Sequence, residues 1–438
     1  MKSAILPQFD RNNGWLEILP PLAPANVARG NLKADVAIIG AGFTGLAAAR
    51  RLADLWPDKR IILLEADRVG NTSAGRSSGF AIDQAHNIRA KNFADSLEAE
   101  HNQITLNRAG QSYLRDIVQE RKIDCDWDES GKVHAAATQM GAQKLHAYAK
   151  HMDLLKLPYS WLNSKEMKTL TGSSFYQLGL HTPGTIVMQP AKLVLGLAAS
   201  LPKNVTLYEQ SAVQSINFNS PHEMELAEAH ITTQKIVLAN NGFAGQFGFY
   251  QNNLIPLITW GSLTRPVNQE EQEMLGGTGT WNIIPADPFG TSARRISGNR
   301  ILIRNIYSYS SKLNAKESDR LWAKARHEKS LRNRFPKLKD LTFDYTWGGP
   351  LSLSKNGEPV FGDLAPNVYG AFCLNGVGIA RGTSLGKLLA EHMAGKMSPL
   401  LDIINGAGRP NKLPPRPFLD WGVKLNFANR RRTAGLEL

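Results

Sequence analysis

The chain changes its hydrophobic period most clearly between residues 34 and 66. Val36, Ala37, Ile38 and Ile39 form an unbroken apolar run, as expected of a short strand covered on both faces. Apolar residues then recur at helical intervals, with Ala47, Ala48 and Ala49 supplying a small, closely packing face, so a helix is predicted over residues 46–55. Trp56-Pro57-Asp58 ends it, because proline lacks the N–H that the next turn needs. Ile61-Ile62-Leu63-Leu64 predicts a second buried strand, closed by Glu65. Further on, residues 205–218 alternate in part and predict a strand carrying Val213. The run Lys235-Ile236-Val237-Leu238-Ala239 predicts a buried strand ending at Asn240-Asn241-Gly242, and Arg300-Ile301-Leu302-Ile303-Arg304 predicts an extended one. Helical spacing returns over 318–335 and 385–393. Residues 1–33 are rich in Pro, Asn and Gly and predict an irregular surface arm. Residues 397–438, Pro-rich and basic, predict a tail wrapping the surface.

Between the first strand and the first helix lies Gly40-Ala41-Gly42-Phe43-Thr44-Gly45, with glycines at the G-x-G-x-x-G spacing. Such a turn needs Gly40 to leave the strand sharply, Gly42 to let a pyrophosphate approach the backbone, and Gly45 to let helix and sheet pack closely. The helix start then offers free N–H groups and a positive dipole end to phosphate. Glu65, twenty residues past Gly45 and followed by Ala66, stands where a carboxylate accepts hydrogen bonds from ribose hydroxyls. A lone glycine pattern can be only a turn. Here strand, helix and acidic strand end accompany it, and the unit reads as a dinucleotide site.

Composition narrows the class. The chain has 438 residues, 42% hydrophobic and 20% charged, enough for two globular domains. No apolar run of about eighteen residues is present, so no membrane span is expected. The first residues lack the apolar core of a secretory signal, and a cytoplasmic location is expected. Two cysteines, Cys125 and Cys373, provide neither a disulfide framework nor a metal cluster. The net charge of +13 suits a polyanion, an anionic substrate or merely a basic surface. Its clusters are Arg294-Arg295, the Lys324 to Lys339 region and Arg430-Arg431-Arg432. The middle one lies on the predicted helix over 318–335 and reads as a solvated face.

After Glu65 comes a small-residue loop containing Gly75-Arg76-Ser77-Ser78-Gly79. It could be a linker, or its N–H groups and hydroxyls could converge on a phosphate or a flavin. Together with the Gly40–Gly45 turn and Glu65, it resembles the FAD-dependent oxidoreductases of the D-amino-acid oxidase superfamily, a group that includes gamma-glutamylputrescine oxidoreductases and glycine and sarcosine oxidases. Three later stretches extend the resemblance. Residues 235–242 look like the family strand whose end meets the cofactor. Trp347-Gly348-Gly349-Pro350 to Phe361-Gly362 looks like the hairpin beside the flavin. Asn375-Gly376-Val377-Gly378-Ile379 looks like the loop and helix start at the flavin pyrimidine edge.

The resemblance implies an α/β fold with a Rossmann-like FAD-binding domain over 1–90, 180–245 and 345–438. A discontinuous α+β substrate domain over 91–179 and 246–344 would carry a mixed or antiparallel sheet plus helices. It implies FAD contacts from Gly40, Ala41, Gly42, Phe43, Thr44, Gly45, Glu65, Ala66, Arg76, Ser77, Ser78, Gly79, Val213, Asn240, Gly376, Gly378 and Ile379. Family members that attach the flavin covalently use a Cys in the hairpin or a His in the second motif. Trp347-Gly348 and Gly75-Arg76 stand there, so non-covalent FAD is expected.

On the substrate side, His86, Arg304 and Tyr307 are the catalytic candidates, and Asp83, Trp260, Tyr309 and Asn375 the substrate-binding ones. Arg304 could pair bidentately with a substrate carboxylate or form an ordinary surface ion pair. His86 could be a base or a structural hydrogen-bonder. Tyr307 and Tyr309 share a strand face at period two, which packing alone can explain. The expected reaction is oxidation of a C–N bond in an amine or amino acid, with oxygen or a carrier as electron acceptor and no stable nucleic-acid partner. A flavin enzyme modifying tRNA, favoured by the charge, and a non-catalytic flavoprotein are the alternatives.

Overall fold

Two eight-stranded sheets organise the computed structural model, which describes residues 6–10, 12–84 and 96–438. Six strands of the first sheet run in the order Val360–Ala365, Val368–Phe372, Ala229–Leu238, Gly30–Ile39, Ile61–Leu64, Val205–Tyr208, and His222–Glu225 followed by Ser215–Asn217 branches from Ala229–Leu238. Its central pairs are parallel, and only the edge pair formed by Val360–Ala365 and Val368–Phe372 on this path is antiparallel. The unbroken apolar runs follow from double coverage. Val36 and Ile38 face a core shared with Leu46, Leu52 and Leu385, while Ala37 and Ile39 face Ile62, Leu64 and Phe372 on the other side.

The second sheet runs Phe343–Ser354, Leu254–Thr264, Arg300–Tyr309, Ser292–Ile296, Trp281–Pro285, Lys132–Ala136, Leu178–Thr182, Ser160–Asn163. It is antiparallel except where Trp281–Pro285 meets Lys132–Ala136. Residues 343–354 therefore belong to the second sheet rather than to the first. The helix Leu97–Glu120, expected with the second unit, instead sends Leu106, Leu114 and Ile117 into the core of the first sheet. Strand Leu178–Thr182 likewise lies in the second sheet, its last three residues beyond the expected boundary between 179 and 180.

Other sequence expectations shift for identifiable reasons. The 205–218 strand is two strands, Val205–Tyr208 and Ser215–Asn217, and Val213 sits between them. The helix expected over 385–393 begins five residues earlier, at Ala380, because Gly382 and Gly386 let it pack on the helix Phe43–Leu55. The N-terminal arm is partly inserted: Trp15, in the short helix Gly14–Glu17, is fully buried against Trp347, ring centroids 6.4 Å apart. The tail contains two helices, Pro399–Asn405 and Phe418–Ala434, and the second packs on the second sheet.

Candidate active site

The first strand delivers the chain into the glycine turn. Gly40 takes φ +103°, and a Cβ there would stand 2.8 Å from the carbonyl oxygen of Ala239. A Cβ on Gly45 would lie 1.8 Å from the Gly40 oxygen, so both glycines are fixed by the protein's own packing. Gly42 differs. Its φ of −82° suits any residue, and a Cβ would meet only Ala74 at 3.6 Å. Among the described residues nothing demands glycine there, which fits a demand made by a group approaching from outside. Gly42 is also the N-cap of the helix Phe43–Leu55 and leaves its first N–H groups without a side-chain cap.

Glu65 closes the second strand with its carboxylate buried. Oε2 accepts from the Ala41 N–H at 3.1 Å, and Oε1 from the N–H groups of Ala66 and Asp67 at 2.8 and 3.3 Å. Burial nevertheless pushes its pKa up to about 7, outweighing the three donors.

The loop after Glu65 is gripped from behind. Asn13 Nδ2 donates to the Gly75 carbonyl (3.3 Å), Trp347 Nε1 to Arg76 (3.1 Å), Trp15 Nε1 to Ser77 (2.8 Å) and Arg294 Nη1 to Ser78 (2.6 Å). Four successive carbonyls are thus held by side chains from three elements, the capped helix Gly14–Glu17 and the strands Phe343–Ser354 and Ser292–Ile296. The Arg76 side chain reinforces this grip, its guanidinium donating to Asn71, Asp10 and the Gly348 carbonyl. Its side-chain donors therefore serve protein contacts, while Ser77 and Ser78 line the cleft. Arg294 is buried, which draws its pKa down to about 10, and it stacks over Trp15 and Phe80.

One cleft connects these parts. It is lined by Gly40, Gly42, Phe43, Thr44, Glu65, Ala66, Arg76, Ser77, Ser78, Val213 and Asn240, then by Asn375, Gly376, Gly378 and Ile379. Of the expected cofactor residues, Ala41, Gly45 and Gly79 do not line it. Asn375 is spent internally: Oδ1 accepts from the Ser354 N–H at 2.8 Å, and Nδ2 donates to Gly357 and Cys373 carbonyls. Ile379 is the N-cap of the helix Ala380–Met393, which has no side-chain cap, so its positive end opens at the cleft. Cys373 is buried and does not line the cleft.

The cleft ends against the second sheet at Thr259, Ser292, Arg304 and Tyr307 and against the helix Gln139–Leu154 at Lys144 and Tyr148. Arg304 Nε lies 3.4 Å from Thr259 Oγ1, and its Cζ sits 4.7 Å from the Tyr307 ring centroid. Among the described residues no carboxylate pairs with it. Lys144 is ion-paired with Asp287.

Three substrate candidates stand elsewhere. Trp260 is fully buried on the opposite side, packed with Ile258, Ile306 and Ala323, and donates to Ser308. Tyr309 gives its hydroxyl to Asp420 at 2.5 Å, outside the cleft lining. Asp83 is buried and pairs with Arg108. His86 lies outside the described residues. Sequence reasoning missed Thr259, Lys144 and Tyr148, which no motif marks, and the buried anchors Trp15 and Arg294. The Arg294-Arg295 pair carried a signal, since charges inside a buried strand need internal partners.

The cleft's parts suit FAD: an uncapped helix start beside a tight glycine turn, a buried carboxylate at the second strand end, and a second uncapped helix start farther along. Comparison with known proteins agrees. The FAD dependent oxidoreductase family, DAO, matches residues 35–392. A probable oxidoreductase OrdL of Haemophilus influenzae is 28% identical over 439 residues, covering 95% of this chain and 94% of that protein. The gamma-glutamylputrescine oxidoreductase of Escherichia coli is 25% identical over 391 residues, covering 85% and 86% respectively. The crystal structure of glycine oxidase from Geobacillus kaustophilus shares the fold, with a TM-score of 0.69 at 18% identity, over 84% of this chain and 96% of that one. The chain belongs to the DAO family of FAD-dependent oxidoreductases.

Proposed function

We propose, from that membership, that the protein oxidises the C–N bond of an amine or amino acid bearing a carboxylate, with FAD held non-covalently. The observation that carries this is a single cleft running from the Gly40–Gly42 turn and Glu65 to Arg304. The similar proteins described as a gamma-glutamylputrescine oxidoreductase and a glycine oxidase support an amine or amino acid as substrate. The comparisons lend no support to the tRNA-modifying alternative. We further place the protein in the cytoplasm, with the first sheet as its cofactor unit and the second as its substrate unit.

The chemistry that FAD supplies when bound is acceptance of hydride from the carbon beside nitrogen, which leaves an imine for water to hydrolyse and reducing equivalents for oxygen or another acceptor. The chain's residues supply the rest. In this reading the glycine turn and the start of Phe43–Leu55 receive the pyrophosphate, and Glu65 takes the ribose hydroxyls. The start of Ala380–Met393 favours negative charge at the near end of the cleft. Arg304, with no carboxylate partner among the described residues, offers its guanidinium to the substrate carboxylate, and Thr259 and Tyr307 fix its orientation. The amine loses its proton to solvent, since the reaction needs the neutral form.

The test is anaerobic mixing of the yellow holoprotein with amines, amino acids and carboxylate-bearing polyamine conjugates. Bleaching by a carboxylate-bearing amine, with peroxide measured on readmitting oxygen, is the expected result. Bleaching by no member of the series would remove the proposal, as would faster bleaching by amines that lack a carboxylate.

A further inference from the structure

The helix Phe418–Ala434 carries two apolar stripes, and only one is covered. Leu419, Val423 and Phe427 recur four residues apart and pack against Ile255, Leu257 and Leu353 of the second sheet. Phe418, Trp421 and Leu425 form the other stripe and are 64%, 59% and 71% exposed. The Phe418 and Trp421 rings meet edge to face at 6.2 Å, so the patch is continuous. Contiguous large apolar side chains in water mark a docking surface more often than scattered ones do.

The surroundings of the stripe are basic. Lys424 and Arg432 are exposed on the same helix, and Lys412 and Arg416 are exposed just before it. The helix has one acidic residue, Asp420, which already accepts from Tyr309 and lies 3.8 Å from Arg416. Beside it, Arg431 and Arg326 both stack on Trp322, at 5.2 and 5.7 Å, which joins the helix Glu317–Arg334 to the same basic region. Leu321 on that helix is also exposed. The helix Phe418–Ala434 lies past residue 392, where the family match ends.

Aromatic and leucine side chains ringed by cations fit one class of occupant. An anionic bilayer surface takes Phe, Trp and Leu at the level of its headgroups and attracts Lys and Arg to its phosphates. A second copy fits poorly, because a two-fold contact would set Lys424 and Arg432 of one chain against the same cations of the other. We propose that the exposed face of Phe418–Ala434 docks the protein on a membrane surface rich in anionic lipid, lying in the plane of the interface. Among the described residues no helix is long and apolar enough to cross a membrane.

The test uses the full-length holoprotein and co-sedimentation with vesicles of phosphatidylcholine, alone or mixed with phosphatidylglycerol. Binding to the mixed vesicles, weakened by salt, and little binding to the neutral ones are expected. Trp421→Ser with Leu425→Ser should lower the bound fraction about tenfold at unchanged flavin content. Lys424→Glu with Arg432→Glu should do the same and flatten the salt dependence. Absence of binding to the mixed vesicles overturns the proposal, and so does equal binding by the serine variant. A dimer that the serine substitutions dissolve, with no vesicle binding, assigns the face to a second copy and overturns it too.

Discussion

Arg294 donates Nη1 to the carbonyl oxygen of Ser78 at 2.6 Å, tying the second sheet to the loop that lines the cofactor end of the cleft. The same nitrogen reaches the Met188 carbonyl at 2.9 Å, and Nε holds Asn282. Replacing Arg294 by Met leaves these acceptors buried and without their donor. The expected cost is about 3 kcal/mol of stability, with weaker FAD retention. Thermal unfolding and flavin content after gel filtration measure both. Arg294→Lys should recover part of the loss, since it keeps the charge but not the fork of donors.

The two kinds of glycine in the turn predict different failures. Gly45→Ala should unfold the first sheet, at a cost of about 3 kcal/mol or more, because its Cβ has no room beside the Gly40 oxygen. Gly42→Ala should leave the apoprotein's melting temperature nearly unchanged yet weaken FAD binding. Apoprotein circular dichroism set against FAD titration separates the two. Normal FAD binding by the Gly42→Ala variant would remove the role given to Gly42.

The Glu65 carboxyl sits near pH 7 in the ligand-free protein, raised from its ordinary value by burial. Ribose hydroxyls donate to its ionised form, so FAD binding should expel a proton below pH 7. Affinity should therefore rise with pH toward about 7, by at most about tenfold per unit for one proton, and level off above. Fluorescence titrations of the apoprotein across this range test the sign. Glu65→Gln should flatten the curve.

Arg304→Met should raise KM for a carboxylate-bearing amine about a hundredfold, as loss of a charged hydrogen-bond partner does, with a smaller fall in kcat. A carboxylate-free analogue should be affected less. Stopped-flow reduction of the flavin by both substrates gives the comparison, and an equal effect on the two would assign Arg304 to folding alone.

His327 is buried with Nδ1 2.7 Å from Ser262 Oγ, and burial holds its pKa down at about 3. The unfolded chain takes up this proton near pH 6.5, and the folded chain does not until about pH 3. Its contribution is whole above pH 6.5 and diminishes as pH falls between these values. By pH 5 about 2 kcal/mol should be gone. Urea unfolding at pH 7 and pH 5 checks this, and His327→Asn should reduce the difference.

The cofactor half was legible because its chemistry is local. A strand, three glycines, a helix and Glu65 occupy about thirty consecutive residues, and their spacing alone carries the geometry. The substrate wall was legible only in part. Arg304 and Tyr307 were found through an extended run near the expected roof, but Trp260 is turned away while its neighbour Thr259 lines the cleft, beside a register shift between the two. A one-residue slip exchanges the faces of a strand, and no residue pattern announced it. The arm was misread for another reason: Trp15 is buried by Trp347 and Ile296, partners from far along the chain.

That pairing has a consequence for biosynthesis. The loop at Ser77 is secured by Trp15, 62 residues before it, while Trp347 comes 271 residues after Arg76 and the helix start at Ala380 later still. A half-synthesised chain on the ribosome holds the glycine turn without the clamp that shapes the rest of the cleft. Coenzyme capture should therefore await synthesis past Ala380, and chains truncated or stalled before it should accumulate colourless.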